Sequence, residues 1–162
     1  MKIIFYELFI LTILYQSKGT LEWPTHTICN TEELELYYKS CDPLQDVGLS
    51  ISPCLKNMPE YIDLKVAVML RQAVPELYFD FDLYMVTQKA QLKLLSYSYP
   101  LCEPSYEKFT FCGSKKGELL IFEGPARVSK VTLLSGQYLA PLRLYNKDNF
   151  TIACVNITLI AK

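Results

Sequence analysis

Histidine is almost absent from this sequence of 162 residues, and its scarcity excludes several kinds of chemistry. Catalytic triads and cysteine–histidine pairs need a histidine base in a positioned cluster. The single histidine, His26, lies in WPTHTIC near the predicted start of the mature chain, where we interpret it as a structural residue. The six cysteines are at least ten residues apart, which does not fit a zinc site. The sequence also lacks a phosphate-binding loop and a cofactor fingerprint, so no cofactor is expected.

Basic clusters and long apolar runs are missing after the first 20 residues. Only Lys115 and Lys116 form an adjacent basic pair, so no nucleic-acid partner is expected. No later stretch has the roughly 20 apolar residues of a membrane span, so no transmembrane segment is expected. Helical stripes are missing as well. TEELELYY, in which Thr31 could cap a helix, is the nearest pattern and a weak one.

The N-terminal segment has the layout of a secretory signal peptide. Lys2 precedes an apolar run from Ile3 to Tyr15, and small or polar residues lead to Gly19. An N-terminal strand or buried helix is the alternative. We predict a signal peptide at residues 1–19 and a secreted, extracellular domain at residues 20–162.

Cysteines and glycosylation motifs agree with export. All six cysteines follow the signal segment, and an even number in an oxidising compartment predicts three disulfides. Six cysteines allow about 15 pairings, among which the residues alone do not choose. Sequons at Asn149 and Asn156 predict N-glycosylation at one or both. A glycan on Asn156 would require Asn156 and Thr158 to face solvent, which turns Val155, Ile157 and Leu159 inward.

Alternation with a period of two dominates the chain and predicts β-strands. It is clearest in LYFDFDLYMVT, residues 77–87. Around Leu94 the apolar phase slips by one residue, which predicts a β-bulge. Further strands are predicted around 47–52, 62–70, 92–99, 109–111, 119–122, 131–134, 138–144 and 150–161. Short strands between turn residues indicate a β-sandwich or barrel.

Two features of these strands have more than one interpretation. Asp80 and Asp82 point to one side of a strand, as a glycosidase pair could, but a solvated outer face explains them more simply. The high apolar content fits either a filled core about 10 Å thick or two sheets that stand apart around a cavity. Composition does not separate these two arrangements.

Three segments closely resemble the ML family of lipid-recognition domains. They are SCDPLQDVGLSISPC from Ser40, YPLC from Tyr99 and FTFCGSKKGE from Phe109. Within the family the likeness is to the branch of myeloid differentiation protein one, and it extends from residue 23 to the last strand. The resemblance implies an all-β, immunoglobulin-like β-sandwich, a cup of two splayed antiparallel sheets around an apolar lipid cavity.

The resemblance also implies which residues form the bonds and the site. The implied disulfides are Cys29–Cys54, Cys41–Cys154 and Cys102–Cys112, and the last closes a loop at the cavity mouth. From their apolar phase, the cavity is expected to be lined by Ile51, Val66, Val68, Leu77, Phe79, Phe81, Leu83, Leu94, Phe111, Ile121, Leu133 and Leu144. Tyr97, Tyr99, Lys115 and Lys116 are expected at the mouth, where the tyrosines either meet a headgroup or only pack together.

Members of this branch associate with a Toll-like, leucine-rich-repeat receptor, the radioprotective protein of B cells, and modulate responses to lipopolysaccharide. The resemblance therefore implies a lipid-binding receptor accessory protein rather than an enzyme. Unlike the sister branch, the chain has no cation between Lys93 and Cys102, which favours phospholipid-like or weakly anionic ligands over tight endotoxin recognition. The alternatives are a free lipid or sterol carrier and a filled-core adhesion or cytokine-like domain.

Overall fold

The computed structural model describes residues 22–104, 109–128 and 131–162. Each regular element in these ranges is a strand, which confirms the all-β prediction. The strands are β1 (His26–Asn30), β2 (Leu34–Ser40), β3 (Gly48–Ser52), β4 (Asn57–Met58), β5 (Tyr61–Met69), β6 (Leu77–Val86), β7 (Gln91–Cys102), β8 (Leu119–Arg127), β9 (Val131–Thr132), β10 (Gly136–Tyr145) and β11 (Thr151–Ala161). The predicted signal peptide, residues 1–19, lies outside the described residues. Within those residues, no helix has the length and apolar character to cross a membrane.

Two main antiparallel sheets form the sandwich. The larger has the order β1-β2-β11-β10-β6-β7 and the smaller β3-β5-β8, while β4 and β9 form a two-stranded ribbon. Because successive side chains of a strand point to opposite faces, each sheet has an inner and an outer face. Along β11 the inner residues Val155, Ile157 and Leu159 are buried, and Asn156 is exposed. The orientation predicted for the last strand is confirmed.

The strands β1, β2 and β3 close one side of the sandwich. The Tyr38 hydroxyl on β2 donates to the carbonyl of Val47 at 2.9 Å and accepts from the amide of Leu49 at 3.2 Å. The disulfide Cys29–Cys54 connects β1 to the segment after β3. Covalent and hydrogen bonds therefore hold the two sheets together along this side.

The structure contains the three disulfides that the resemblance implies. Besides Cys29–Cys54, the bond Cys41–Cys154 connects the end of β2 to β11, across 113 residues of sequence. The third, Cys102–Cys112, joins cysteines ten residues apart and closes a loop after β7, and residues 105–108 of that loop lie outside the described ranges.

Local patterns predicted some elements well and others wrongly. Leu83 pairs with Leu95 and Tyr84 with Lys93, which leaves Leu94 as the extra residue of a bulge and confirms the predicted phase slip. The strand predicted at 109–111 is wrong, because this segment forms turns within and after the disulfide loop. The amide of Cys112 donates to the carbonyl of residue 109 at 3.1 Å. The weak helical pattern of TEELELYY lies largely in β2, which alternates between buried and half-buried residues.

Candidate functional site

An apolar surface runs along the inner face of β6 and β7. Phe79 pairs with Tyr99, Phe81 with Tyr97, and Leu83 with Leu95. Directly paired residues of antiparallel strands share a face, so these six side chains point the same way. Phe79, Phe81 and Leu83 pack against the core, which identifies this face as the inner one.

Much of this inner face remains accessible to solvent. Leu95 is 47% exposed and Tyr97 is 50% exposed, and Phe81 is only partly buried. Inner residues of a closed sandwich are buried, as Leu36 on β2 and Ile157 on β11 are here. The two sheets are therefore splayed at the β6–β7 side, and the gap between them is apolar.

Strand β8 forms the opposite wall of this gap. It lies at the edge of the smaller sheet that is farthest from β3, and β3 is held against β1 and β2. Phe122 on β8 makes edge-to-face contacts with Phe109 at 5.9 Å and Phe111 at 6.5 Å between ring centroids. The loop that carries these two rings is tied by Cys102–Cys112 to the end of β7. We call Phe109, Phe111 and Phe122 the aromatic cluster.

The predicted cavity residues fall into three groups. Val68, Leu77, Phe111, Leu133 and Leu144 are buried; Ile51, Val66, Phe79, Phe81 and Leu83 are partly buried against them; Leu94 and Ile121 are exposed. Leu94 is the extra residue of the bulge, so pairing with β6 does not fix its direction.

The prediction for Ile121 is wrong. Ile121 pairs with Ala67 on the outer face of the smaller sheet and is 57% exposed. Its neighbours Leu120 and Phe122 pair with Val68 and Val66 and face inward. The continuous apolar run of β8 contains no alternation, so only the register with β5 sets which residues face the gap.

The residues predicted at the mouth occupy two places. Tyr97 and Tyr99 stack on the inner face of β7, with ring centroids 6.1 Å apart. Lys115 lies in the turn before β8, where its amide donates to the Glu118 carboxylate at 2.9 Å. Lys116 lines an open depression together with Gln72, Ala73, Pro75, Glu76, Asn146, Lys147 and Asp148. A shared mouth of tyrosines and lysines stays a prediction.

The carboxylates that could have served a glycosidase lie on the outer face of β6. Ser98 donates to Asp80 at 2.7 Å, and Ser96 donates to Asp82 at 2.5 Å. The Ser96 hydrogen bond, followed by that of the Lys93 ammonium, lowers the pKa of Asp82. Such partners stabilise the ionised form, whereas a general acid needs a raised pKa. This arrangement fits a solvated ladder of cross-strand pairs.

His26 is part-buried at the β1 edge of the sandwich, and both sequon asparagines are exposed. The His26 ring stacks on Tyr38 at 4.8 Å, and its Nε2 lies 2.7 Å from Asp46 Oδ2, so it joins β1 to the β2–β3 connection. Asn156 is exposed on the outer face of β11. Asn149 lies in the β10–β11 turn with φ of 62°, where Arg143 donates to its side-chain oxygen at 2.6 Å.

Sequence reasoning missed three residues of the gap. Leu92 and Leu95 lie on either side of the bulge; the alternation of Leu92 with Lys93 and of Leu95 with Ser96 was a usable signal. Phe122 of the aromatic cluster gave no such signal, because it ends the continuous apolar run of β8.

Comparisons with known proteins agree with this architecture. No family model matches the chain. Human lymphocyte antigen 86 is 38% identical to this chain over 157 residues, which cover 94% of each chain. Chicken lymphocyte antigen 86 is 42% identical over 149 residues, which cover 92% of this chain and 91% of the chicken protein. The crystal structure of chicken MD-1 complexed with lipid IVa superposes with a TM-score of 0.75 and 43% identity, covering 86% of this chain and 99% of that one. The family expected from the cysteine-containing motifs is confirmed. The chain has an ML-domain β-sandwich like that of MD-1 and belongs to the lymphocyte antigen 86 family.

Proposed function

We propose that this protein is a secreted, lipid-binding accessory protein of a Toll-like leucine-rich-repeat receptor, and that it modulates innate immune responses to lipopolysaccharide. It acts by binding rather than by catalysis. One observation carries the proposal: the apolar inner face of β7 is about half exposed, and that of β6 is mostly only partly buried, inside a sandwich whose other side is closed. An apolar surface left open inside a fold marks a ligand site.

Acyl chains fit this gap physically. Each methylene moved out of water contributes about 0.8 kcal/mol, so one chain of ordinary length supplies ample affinity. Phe81 and Leu83 offer apolar wall on one side, and the aromatic cluster offers it on the other. The relative with 43% identity was crystallised with lipid IVa, a ligand that supports a phospholipid or lipid A-like occupant here.

The headgroup is expected to be weakly anionic. Lys93, the last cation before Cys102, does not serve the gap, because its ammonium lies 3.0 Å from Asp82 on the outer face. The inner face of β7 offers the Tyr97 and Tyr99 hydroxyls instead. Lys115 and Lys116 would add positive charge only if a headgroup reaches the turn before β8.

The proposed partner is the leucine-rich-repeat ectodomain of the radioprotective B-cell receptor, and the proposed route is secretion with glycans at Asn149 and Asn156. Co-expression with that ectodomain should yield a stable complex in which the chain still carries lipid. If the chain retains lipid but stays alone, it is a free lipid carrier instead. Peptide mapping of the secreted protein would locate the mature N-terminus and the occupied sequons.

Lipid retention tests the site directly. The protein would be purified from the medium of animal cells, and lipids extracted with organic solvent would be quantified by mass spectrometry. Phe81→Asp should abolish retention, because it places an unpaired charge against hydrocarbon. Ile121→Asp is the matched control, since it also replaces an apolar strand residue but on the outer face. A lipid-free wild type, or equal retention in the two variants, would contradict the proposal.

A further inference from the structure

Gly124 is a glycine in the middle of β8, where neither a positive φ nor a register shift requires it. It pairs with Leu64 in a ladder that runs without a register shift from Tyr61 to Met69. Its φ lies outside the left-handed region, which is occupied by other glycines, such as Gly113 and Gly117. Glycine inside a strand weakens it and usually marks a bulge, a bend or the close approach of another group. The ladder excludes the first of these explanations.

Close packing against protein atoms does not require this glycine either. A Cβ at Gly124 would meet only the Phe122 ring, at 3.8 Å, an ordinary van der Waals distance. At Gly48, by contrast, a Cβ would meet that of Ala67 at 3.3 Å, tighter than most real contacts. The position therefore has room for a Cβ that the sequence does not supply.

The unused room faces the gap between the sheets. Gly124 shares the inner face of β8 with Phe122 and Ala126. These three residues pair, in that order, with Leu64, Val66 and Ile62, which lie on the inner face of β5. The inner side chains of β8 therefore shrink along the strand, from leucine and phenylalanine to none and then to a methyl group. Facing sheets pack about 10 Å apart when side chains from both fill the space. At Gly124 the inner face of β8 supplies no side chain, and the inner residues of β7 across the gap are already exposed.

We infer that Gly124 is a specificity-determining residue: it opens a channel across β8 for an acyl chain, and the size of the residue at this position sets the length and number of chains held. This inference rests on the proposed lipid-binding function. The exposed strand β7 forms one side of the occupied space and the inner face of β8 forms the other. The ligand then makes the close approach that explains the glycine.

The test enlarges residue 124 in the full chain secreted from animal cells. Gly124→Leu should fold with an unchanged or higher unfolding temperature in the lipid-free form, because the added side chain fills apolar space. Each acyl-chain methylene that the leucine side chain displaces from the gap should weaken lipid binding about fourfold. Mass spectrometry should find less lipid per protein, with shorter or fewer acyl chains. Titration with a fluorescently labelled long-chain fatty acid should show at least about tenfold weaker binding.

Two further variants make every outcome decisive. Gly124→Ala adds only the Cβ for which the structure has room, so it should fold and shift the lipid profile in the same direction by a smaller amount. Ala67→Leu adds similar volume on the outer face of β5 and should retain the wild-type lipids. An unchanged lipid profile in Gly124→Leu, or failure of Gly124→Ala to fold, would overturn the inference and leave the proposed function intact. A wild type without lipid would instead overturn the proposed function.

Discussion

In the half of the sandwich that β2 and β11 build, inner side chains such as Leu36 and Ile157 are buried, whereas on β7 the inner side chains of Leu95 and Tyr97 are about half exposed. We call these the closed half and the open half. Both inner faces consist mainly of aliphatic and aromatic residues, so composition alone does not explain the difference. Two disulfides and the Tyr38 hydrogen bonds hold the closed half, whereas the disulfide of the open half, Cys102–Cys112, closes a short loop.

The comparison shows that stability and ligand capacity are separated in this fold. Buried residues of the closed half gain free energy by packing on each other. The inner residues of the open half keep part of their apolar surface in water until a ligand covers it. Damage to the closed half should therefore unfold the protein, and damage to the open half should mainly change what it binds.

The largest expected effect comes from the disulfides. Replacing both Cys41 and Cys154 with alanine should lower the free energy of unfolding by about 4–5 kcal/mol, because the bond closes a loop of 113 residues. Replacing Cys102 and Cys112, ten residues apart, should cost about 2–3 kcal/mol. Denaturant titration of the two double variants measures both values. An equal or larger loss in the Cys102/Cys112 variant would contradict a stabilising closed half.

Truncation of single side chains should show the same contrast at a smaller scale. Leu36→Ala in the closed half should cost about 2–5 kcal/mol, since Leu36 is 2% exposed and its loss leaves a cavity. Phe81→Ala should cost less than the about 3–5 kcal/mol of a filled core and should change which lipids are retained. Both are measured by denaturant unfolding of lipid-free protein. A full filled-core loss for Phe81→Ala would mean that the sheets close over β6.

The smallest expected effect is electrostatic and lies on the outer face of the open half. Because the pKa of Asp82 is lowered in the folded protein, its ionised form contributes stability above the unfolded pKa, and this contribution is lost as pH falls through the folded pKa. Asp82→Asn should therefore be slightly less stable than wild type at pH 7, and the difference should begin to shrink as pH falls below about 4 and vanish below the folded pKa of Asp82. Unfolding temperatures against pH measure it. Lipid retention should not change in this variant or in Asp80→Asn, and a marked loss would place these carboxylates in the site.

The sequence predicted those parts of the fold in which polar and apolar residues alternate strictly. In β6 the aspartates fix which side is wet, and in β11 Asn156 and Thr158 do the same. Even the bulge at Leu94 was visible as a change of phase. Strand β8 offered no such signal, because its apolar run fits either phase. The choice depends on pairing with β5, at least 50 residues earlier in the sequence.

The open gap itself could not be predicted from residue types. An exposed inner residue such as Tyr97 and a buried one such as Tyr138 look alike in sequence, since exposure depends on how far the two sheets separate. The resemblance to the ML family supplied what periodicity could not, namely the cup shape and the cysteine pairing. The placement of Lys116 beside the β10–β11 turn depended on long-range packing and was beyond both.

The position of β11 between β2 and β10 has a consequence for how the chain is made. Cys154 is synthesised 113 residues after Cys41, an interval of about 6–23 s at usual translation rates. Until then β2 has an unpaired edge, and Cys41 can react only with thiols that precede Cys154, such as Cys29 and Cys54. Cys102 and Cys112 emerge within about 2 s of each other and have no such delay. Wrong disulfides should therefore accumulate in the closed half during synthesis, and disulfide isomerase and chaperones should limit its yield more than that of the open half.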